Sequence, residues 1–244
     1  MATTTEAKPV TAFTYMSFDV VGTLIDFEGA IRHGLSQIAA AHGIDVDIEA
    51  ALVTYRDARR QPGANRFPDD LARCYSVIAA EFGLPDTEDA RRTMVTAMGD
   101  ARPFPDSVEA LARLGRHYKL VAMTNAQRWA FERYAEALGQ PFHASFTVDD
   151  TVCEKPDPAF FRHVFDALSG EGAAPGDILH TAQSQYHDIG VSRDLGMTNV
   201  WIERRHDRAG YGGTIEPDAF TRPDYHFRAL SELADAVDAA LAGR

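Results

Sequence analysis

Polar side chains follow four short hydrophobic runs of the chain, close to the point where each run ends. They supply hydroxyls, amides, one ammonium and two carboxylates: Asp19 and Thr23, Thr124 and Asn125, Lys155, and the cluster Gln183, Ser184, Gln185, His187 and Asp188. A carboxylate beside an ammonium stays ionised and can act as a nucleophile. Each residue alone has a structural explanation, such as capping a turn, but the four groups together predict a reaction centre.

The hydrophobic runs have the length and composition of buried strands. They cover residues 13–18, 119–124, 177–182 and 198–203, with a weaker run at 145–149. Helical patterns lie between them, for example at residues 107–114 and 158–168. Strands that alternate with helices predict an α/β fold, a doubly wound, Rossmann-like parallel sheet. Because ligands collect at the carboxyl ends of the strands in such sheets, we expect the polar residues to meet there.

One long segment differs from the rest, because its apolar residues recur only at helical spacing. Ile31, Leu35 and Ile38 are one such series. We therefore expect a flexible tail at residues 1–12, an α/β core domain at 13–28 and 102–244, and an inserted α-helical cap domain at 29–101. The alternative is that these helices lie on the sheet without forming a domain.

The composition narrows the class of protein. The 244 residues are 45% hydrophobic, and 36 acidic against 24 basic residues give a net charge of -12. Such a surface repels phosphate backbones and anionic lipid, so we expect no nucleic acid and no membrane as partner. Cys74 and Cys153 are expected to be reduced thiols. With no signal peptide and no long apolar run, we expect a cytoplasmic protein, with a homodimer as one possible assembly.

The sequence resembles the haloacid dehalogenase superfamily of hydrolases over about residues 13–233. Residues 19–24, Asp-Val-Val-Gly-Thr-Leu, look like its first motif, and Thr124 with Asn125 looks like its second. Residues 155–158, Lys-Pro-Asp-Pro, look like the third, and Asp188 looks like the acidic residue of the fourth. The resemblance implies a helical cap over the sheet edge. It also implies that Asp19 is a nucleophile that forms a covalent aspartyl ester.

Val21 decides between branches of this superfamily. Its phosphatases carry a second aspartate two residues after the nucleophile, which protonates the leaving oxygen. Val21 stands at that position and cannot transfer a proton. A halide leaves as a stable anion and needs no acid. The replacement of the second aspartate by Val21 therefore favours the 2-haloacid dehalogenase branch. That branch usually has an aromatic residue there, and Val21 predicts a roomier pocket.

The resemblance also implies roles for the other motif residues. Lys155 would keep Asp19 ionised and offset its repulsion with Asp188, and Thr23 would hydrogen-bond near the nucleophile. Substrate-binding groups would come from both strand ends: the backbone amides of Val20 and Val21, Thr124 and Asn125.

The fourth motif departs from the dehalogenase pattern, which has an asparagine and a tryptophan between its serine and its acidic residue. Ser184 precedes Gln185 and His187, which stand in those two positions. We expect all three to contact substrate. His187 is either a base for the hydrolytic water or a residue that orients Asp188 or packs against the cap.

An arginine of the cap is expected to receive the departing halide. Arg56, which follows Tyr55, is the candidate that the resemblance favours, and Arg59 or Arg60 are the alternatives. Trp129 and Trp201 are expected in the core, and residues 204–206 on a surface loop.

These observations lead to one hypothesis and three alternatives. The leading hypothesis is a hydrolase without cofactor or metal that converts a small-molecule 2-halo carboxylate into the 2-hydroxy acid. The first alternative is hydrolytic ring opening of a strained amine such as azetidine-2-carboxylate, read by Gln185 and His187. The second is a Mg²⁺-dependent phosphatase that holds its metal with Asp19 and Asp188. The third is a non-catalytic binding protein on the same fold.

Overall fold

Six parallel strands form one sheet in the computed structural model, which describes residues 8–243. The strands are β1 (Tyr15–Phe18), β2 (Lys119–Thr124), β3 (Ala144–Thr147), β4 (Ile178–Ala182), β5 (Thr198–Ile202) and β6 (Tyr225–Phe227). Their order is β3-β2-β1-β4-β5-β6, and every neighbouring pair is parallel. The predicted α/β class with a doubly wound parallel sheet is confirmed. Strand β6 was not predicted, because three residues are too few to show a pattern.

Helices cover both faces of the sheet. They are α5 (Ser107–Leu114), α6 (Arg128–Ala137), α7 (Val148–Thr151), α8 (Pro158–Ser169), α9 (Gly190–Asp194) and α10 (Leu230–Ala242). Successive strand residues point to opposite faces. Met16 and Phe18 of β1 therefore pack in the apolar cluster that contains α5, α6 and α10, whereas Tyr15 packs with α8 and α9. This two-sided burial explains why the strands appear as continuous hydrophobic runs.

Four further helices separate β1 from α5. They are α1 (Phe27–His42), α2 (Ile48–Arg59), α3 (Leu71–Phe82) and α4 (Glu88–Gly99), and they pack mainly against one another. Asp26 caps α1 by accepting a hydrogen bond from the amide of Gly29. The two connections to the core run side by side, since Ile25 and Pro103 form an antiparallel bridge and the amide of Asp26 donates to the carbonyl of Arg102 at 2.8 Å. We refer to α1–α4 as the cap.

The predicted flexible tail is wrong for its second half. Residues 1–7 lie outside the described residues, but Val10–Ala12 forms a short 3-10 turn, and the side chain of Val10 is buried in the core. The hydroxyl of Tyr118 donates to the carbonyl of Val10 at 2.8 Å. This turn therefore packs against the sheet, because its apolar side chain and its carbonyl both have partners there.

The predicted surface position of residues 204–206 is wrong for its two arginines. The side chain of Arg204 is 9% exposed, lies over the ring of Phe104 and pairs with Asp106 at 2.9 Å. Arg205 is 11% exposed and pairs with Glu28 of α1. Acidic partners distant in sequence hold both guanidinium groups inside, which the local sequence does not reveal.

The cysteines agree with expectation, but the tryptophans do not. Cys74 and Cys153 are free cysteines. Trp129 and Trp201, expected in the core, are half-buried: Trp129 packs beside Gly99 of the cap, and the indole N–H of Trp201 donates to the carbonyl of Gln183 at 2.8 Å. Within residues 8–243, no helix is long and apolar enough to cross a membrane.

Candidate active site

A cavity of about 510 Å³ lies at the carboxyl ends of the strands, under the cap. The core contributes strand-end and loop residues, and the cap contributes aromatic and basic ones. The main lining residues are Asp19, Val21, Thr124, Asn125, Glu154, Lys155, Gln183, Ser184 and His187 from the core, and Phe27, Tyr55, Arg59, Arg60 and Phe67 from the cap. The structure thus brings together most of the residues that the sequence singled out.

Lys155 is the centre of a buried charge cluster. Its ammonium donates three hydrogen bonds: to Asp19 Oδ1 at 2.9 Å, to Asp188 Oδ1 at 2.6 Å and to the carbonyl of Met123 at 2.9 Å. The Lys155 side chain is 1% exposed, so water screens these charges little. All three protons of the ammonium are used, and its position between the two carboxylates is fixed.

The two carboxylates of this cluster differ in pKa because their partners differ. Burial raises the pKa of Asp19, and the charge of Asp188 adds to this, against the opposing effects of Lys155 and the Thr23 hydroxyl. Burial would also raise the pKa of Asp188, but Lys155 and a hydrogen bond from His180 lower it to about 2. The pKa of Lys155 is raised, because the two carboxylates outweigh its burial. Asp188 is therefore the permanent anion, and Asp19 is the more basic carboxylate.

Thr23 holds the second carboxylate oxygen of Asp19. Its hydroxyl donates to Asp19 Oδ2 at 2.6 Å and accepts a hydrogen bond from the amide of Gln183 at 2.8 Å. The carbonyl of Thr23 accepts a hydrogen bond from Arg204 at 3.0 Å. One oxygen of Asp19 therefore accepts from Lys155 and the other from Thr23, and the two hydrogen bonds fix the plane of the carboxylate.

Asn125 lies on the cavity but is committed to the backbone of Lys155. Its side-chain amide donates to the Lys155 carbonyl at 2.9 Å, and its oxygen accepts from the Lys155 amide at 2.7 Å. We therefore assign to Asn125 the positioning of Lys155. Thr124 lines the cavity, and its hydroxyl oxygen accepts from the amide of Ala126 at 3.1 Å.

The backbone after Asp19 makes a tight turn. The carbonyl of Val20 accepts from the amides of Leu24 and Ile25, at 2.9 and 3.0 Å. Val20 is fully buried, whereas the side chain of Val21 lines the cavity beside Asp19. The substrate-binding role of the Val20 and Val21 amides remains a prediction.

Gln185, which was predicted to contact substrate, does not line the cavity. The segment Gln185–Ile189 forms one wide π-helical turn, and the Gln185 oxygen accepts from the amide of Thr221 at 3.1 Å, away from the lining of the cavity. Ser184 caps this turn, because its hydroxyl accepts from the amide of His187 at 2.9 Å. Ser184 and His187 both line the cavity. Burial lowers the pKa of His187 to about 4, so its ring is neutral at physiological pH.

The prediction that Arg56 faces the site is also wrong. Arg56 pairs with Asp57, whereas Tyr55, Arg59 and Arg60 line the cavity. Tyr55 and Arg59 lie four positions apart and share the face of α2 that lines the cavity. Arg60 reaches the cavity from the position just after the end of α2, whereas the Arg56 side chain turns to Asp57. Arg59, and not Arg56, is thus the arginine of α2 that lines the cavity.

A buried carboxylate and a backbone carbonyl orient Arg59. Its guanidinium donates to Asp70 Oδ2 at 2.6 Å and to the carbonyl of Asn65 at 2.7 Å, and it lies 3.6 Å from Glu154 of the core. Burial by itself would raise the pKa of Asp70, but hydrogen bonds from Arg73, the Asn65 amide and Arg59 lower it to about 2. Asp70 is therefore an anion that fixes Arg59 over the cavity.

A loop that sequence reasoning missed completes the lining. Gly213, Thr214 and Ile215 follow β5 and face the cavity, and the amide of Gly213 donates to Glu28 of α1 at 2.9 Å. A Cβ on Gly213 would lie 2.9 Å from the ring of Phe27, so only glycine allows this approach. The three glycines at 210, 212 and 213 were the available signal in the sequence.

The site offers few ligands to a divalent metal ion. The Oδ1 atoms of Asp19 and Asp188 both accept from Lys155, Oδ2 of Asp19 accepts from Thr23, and Val21 offers no carboxylate. Among residues 8–243, no group of three or more His, Cys, Asp or Glu side chains is placed to hold a metal ion.

Comparisons with known proteins agree with this geometry. A model of the haloacid dehalogenase-like hydrolase family matches residues 15–181. No curated protein matches the chain. The structure of the L-2-haloacid dehalogenase from Xanthobacter autotrophicus with chloropropionic acid covalently bound has a TM-score of 0.71 at 19% identity, covering 93% of this chain and 98% of that one.

Two other solved structures are similar to the same extent. A defluorinating L-2-haloacid dehalogenase has a TM-score of 0.74 at 19% identity, covering 96% of this chain and all of that one. Bacillus subtilis YfnB bound to magnesium has a TM-score of 0.74 at 18% identity, covering 93% of this chain and 99% of that one. At these identities the likeness concerns the fold.

Replacing Asp70 tests whether its ion pairs stabilise the cap. A pKa lowered from 3.8 to about 2 stabilises the fold above pH 3.8, and this stabilisation is lost as the pH falls towards 2. We expect Asp70→Asn to lower the free energy of unfolding by about 2 kcal/mol at neutral pH, with the difference shrinking in acid. Urea denaturation measures both. Asp45→Asn, at an exposed cap position, is the control, and an equal effect of both substitutions would contradict the prediction.

Proposed function

Because the chain belongs to the haloacid dehalogenase-like hydrolases, we propose that it hydrolyses a carbon–halogen bond in a 2-halo carboxylate. Asp19 is the nucleophile, and an ester of its carboxylate is the intermediate. The proposal goes beyond membership of the hydrolase family and rests on the chemistry of the cavity.

Val21 is the observation that carries the proposal. Its side chain lines the cavity beside Asp19, where hydrolysis of a phosphate ester would require a proton donor. Glu154 also lines the cavity, and burial raises its pKa, but its carboxylate faces Arg59 at 3.6 Å. A leaving group that departs as a stable anion needs no acid at Val21.

In the first step, one carboxylate oxygen of Asp19 attacks C2 of the substrate. The new C–O bond forms as the carbon–halogen bond breaks, and the halide leaves with the bonding electrons. Lys155 and Thr23 hold the Asp19 oxygens at 2.9 and 2.6 Å and so orient the attack. The pKa of Asp19, raised by burial, makes it a stronger nucleophile once it is ionised.

In the second step, water attacks the carboxyl carbon of Asp19, and the bond between that carbon and the ester oxygen breaks. The product hydroxyl keeps the oxygen that Asp19 supplied, the water oxygen enters Asp19, and one proton is released. Formation of the ester removes the charge of Asp19, which leaves Lys155 paired with Asp188 alone at 2.6 Å. The ammonium therefore remains in place to stabilise the oxyanion that forms.

The cavity suits an anionic substrate larger than a two-carbon acid. Arg59 and Arg60 bring cationic side chains to the cavity of a protein whose net charge is -12, whereas Asp19 and Asp188 offset the charge of Lys155. The volume of about 510 Å³ exceeds what a small haloacid fills, and Val21 leaves room beside the nucleophile. In this proposal, Arg59 receives the halide and Thr124 binds the substrate carboxylate.

The alternatives have less support from the geometry. Ring opening of a cyclic amine would require Gln185 and His187 to recognise the amine. Gln185 instead hydrogen-bonds to Thr221, away from the cavity. A magnesium-dependent phosphatase needs a metal between two carboxylates that Lys155 already joins. A purely binding protein would have no use for a buried nucleophile, and burying its charge is costly.

Labelled water tests the covalent step. In a single turnover of 2-chloropropionate in water labelled with heavy oxygen, we expect the label in Asp19 and not in the 2-hydroxy acid. Asp19→Asn should lower turnover by at least about 10⁴-fold. Mass spectrometry of the Asp19 peptide and a chloride assay measure both. Label found directly in the product would contradict a covalent intermediate.

The substrate panel separates the proposal from its alternatives. It contains 2-chloro and 2-fluoro acids, azetidine-2-carboxylate and an aryl phosphate, each with and without chelator. Halide release that chelator does not affect supports the proposal. Ring opening without halide release, or chelator-sensitive phosphate release, would replace it.

A matched pair of cap variants tests the assignment of Arg59. Lysine keeps the charge but loses the planar set of donors that Asp70, Asn65 and the halide would share. We expect Arg59→Lys to lower kcat by about tenfold or more, and Arg56→Lys to change it less than about twofold. Steady-state kinetics measure both, and circular dichroism checks folding. A larger loss in Arg56→Lys would return the role to Arg56.

The size of the substrate pocket is tested at Val21. A phenyl ring there would fill the space beside Asp19, so we expect Val21→Phe to lower kcat/KM for 2-chlorohexanoate by about tenfold more than for chloroacetate. Val108→Phe, on the exposed face of α5, is the control. Equal losses for both substrates would show that Val21 does not set the size limit.

A further inference from the structure

A buried hydrogen-bonded chain lies behind the charge cluster. The Ser17 hydroxyl is 2.9 Å from His180 Nδ1, and His180 Nε2 is 3.1 Å from Asp188 Oδ1. Ser17, His180 and Asp188 are all fully buried, and none of them lines the cavity. The chain thus supports the site from inside the core without touching substrate.

Strand register creates this chain. Ser17 of β1 and His180 of β4 are directly paired across the parallel ladder, so their side chains lie next to each other on the same face of the sheet. Asp188 comes eight residues later, on the turn that follows β4. Position along two neighbouring strands therefore sets the contact between Ser17 and His180.

The partners fix the tautomer of His180. An ionised carboxylate only accepts hydrogen bonds, so the Nε2 that faces Asp188 must carry a proton. In the neutral ring Nδ1 is then an acceptor, and the Ser17 hydroxyl is the donor. The ring of Phe161 packs against the imidazole edge-on at 5.4 Å and limits its rotation.

Asp188 has few other partners. Its Oδ1 accepts from both Lys155 and His180, and its Oδ2 has no hydrogen-bond partner among the described residues. The titratable groups around it are Lys155 and His180 in contact, Asp19 across the ammonium, and His187 on the adjoining turn. Besides Lys155, His180 is thus the side-chain partner of Asp188 among the described residues, as Thr23 is of Asp19.

We propose that His180, whose ring Ser17 orients, is a positioning residue: its Nε2–H donates to Asp188, and Asp188 held in this way keeps Lys155 against the nucleophile. The importance of this for turnover rests on the proposed function of Asp19. When the ester forms, the charge on Asp19 disappears, and Asp188 becomes the only anion that balances Lys155. The Nε2–H of His180 stabilises the Asp188 anion through both steps, so that Asp188 continues to offset the charge of Lys155.

Two substitutions at His180 separate the hydrogen bond from packing. His180→Phe keeps an aromatic ring against Phe161 but removes the donor. We expect it to lower kcat/KM for 2-chloropropionate by about tenfold or more, and to move the acid limb of the pH profile to higher pH, because the Asp188 anion loses a donor. His180→Gln retains an N–H near the position of Nε2 and should recover activity to within about threefold of the native protein, with the native acid limb.

Equal losses in the two variants, with an unchanged acid limb, would show that His180 only fills space and would overturn the proposal. Ser17→Ala is the second variant should His180→Phe fail to fold. It removes the hydroxyl beside Nδ1, and we expect a smaller loss of activity than in His180→Phe, with the proton still on Nε2 because Asp188 determines the tautomer. An Nδ1–H tautomer in Ser17→Ala would contradict the role given to Asp188, and native activity would contradict the role given to Ser17.

A measurement on the resting protein does not depend on turnover. Proton–nitrogen correlation spectra, with His180 assigned by comparison with His180→Gln, should show that the neutral ring carries its proton on Nε2. An Nδ1–H tautomer would overturn the proposal. If no 2-chloro acid is hydrolysed, the proposed function fails, while the tautomer still decides whether Ser17 and His180 act on Asp188.

Discussion

The ammonium of Lys155 between two buried carboxylates is the interaction on which the rest of the site depends. Two carboxylates at this distance repel each other, and removing either from water is costly. One lysine with three acceptors at 2.6 to 2.9 Å offsets both effects. The cluster still has one more negative than positive charge, so its neighbours must stabilise an anion.

Each neighbouring contact meets part of that requirement. Thr23 donates to Asp19, His180 donates to Asp188, and Asn125 fixes the backbone that carries Lys155. Thr23 is itself tied to Arg204, whose guanidinium also pairs with Asp106 at the start of α5. The geometry of the nucleophile is thus connected to the packing of the core, because every donor around it is fixed by a partner further out.

The cavity also needs the cap, which reaches the core through polar contacts. Arg205 pairs with Glu28 of α1 and, at 3.1 Å, with Glu49 of α2, while Arg66 of the cap pairs with Asp149 of the core at 2.6 Å. Glu28 has a second function, because it accepts the amide of Gly213 and so holds the loop that closes one side of the cavity. These contacts join segments more than 80 residues apart in the chain.

The sequence by itself determined the sheet and the residues at its edge. Buried parallel strands appear as short apolar runs, and their carboxyl ends meet wherever the sheet forms, so Asp19, Thr124 and Lys155 could be placed together without coordinates. Tertiary structure alone decided which way side chains point on the helices and turns. Arg59 lies on the cavity with Tyr55, one turn earlier on α2, whereas the Arg56 side chain turns to Asp57. Gln185 turns away from the cavity because its segment is a wide π-helical turn. His180, Glu28 and Gly213 acquire their roles from partners far along the chain, and no local pattern encodes such contacts.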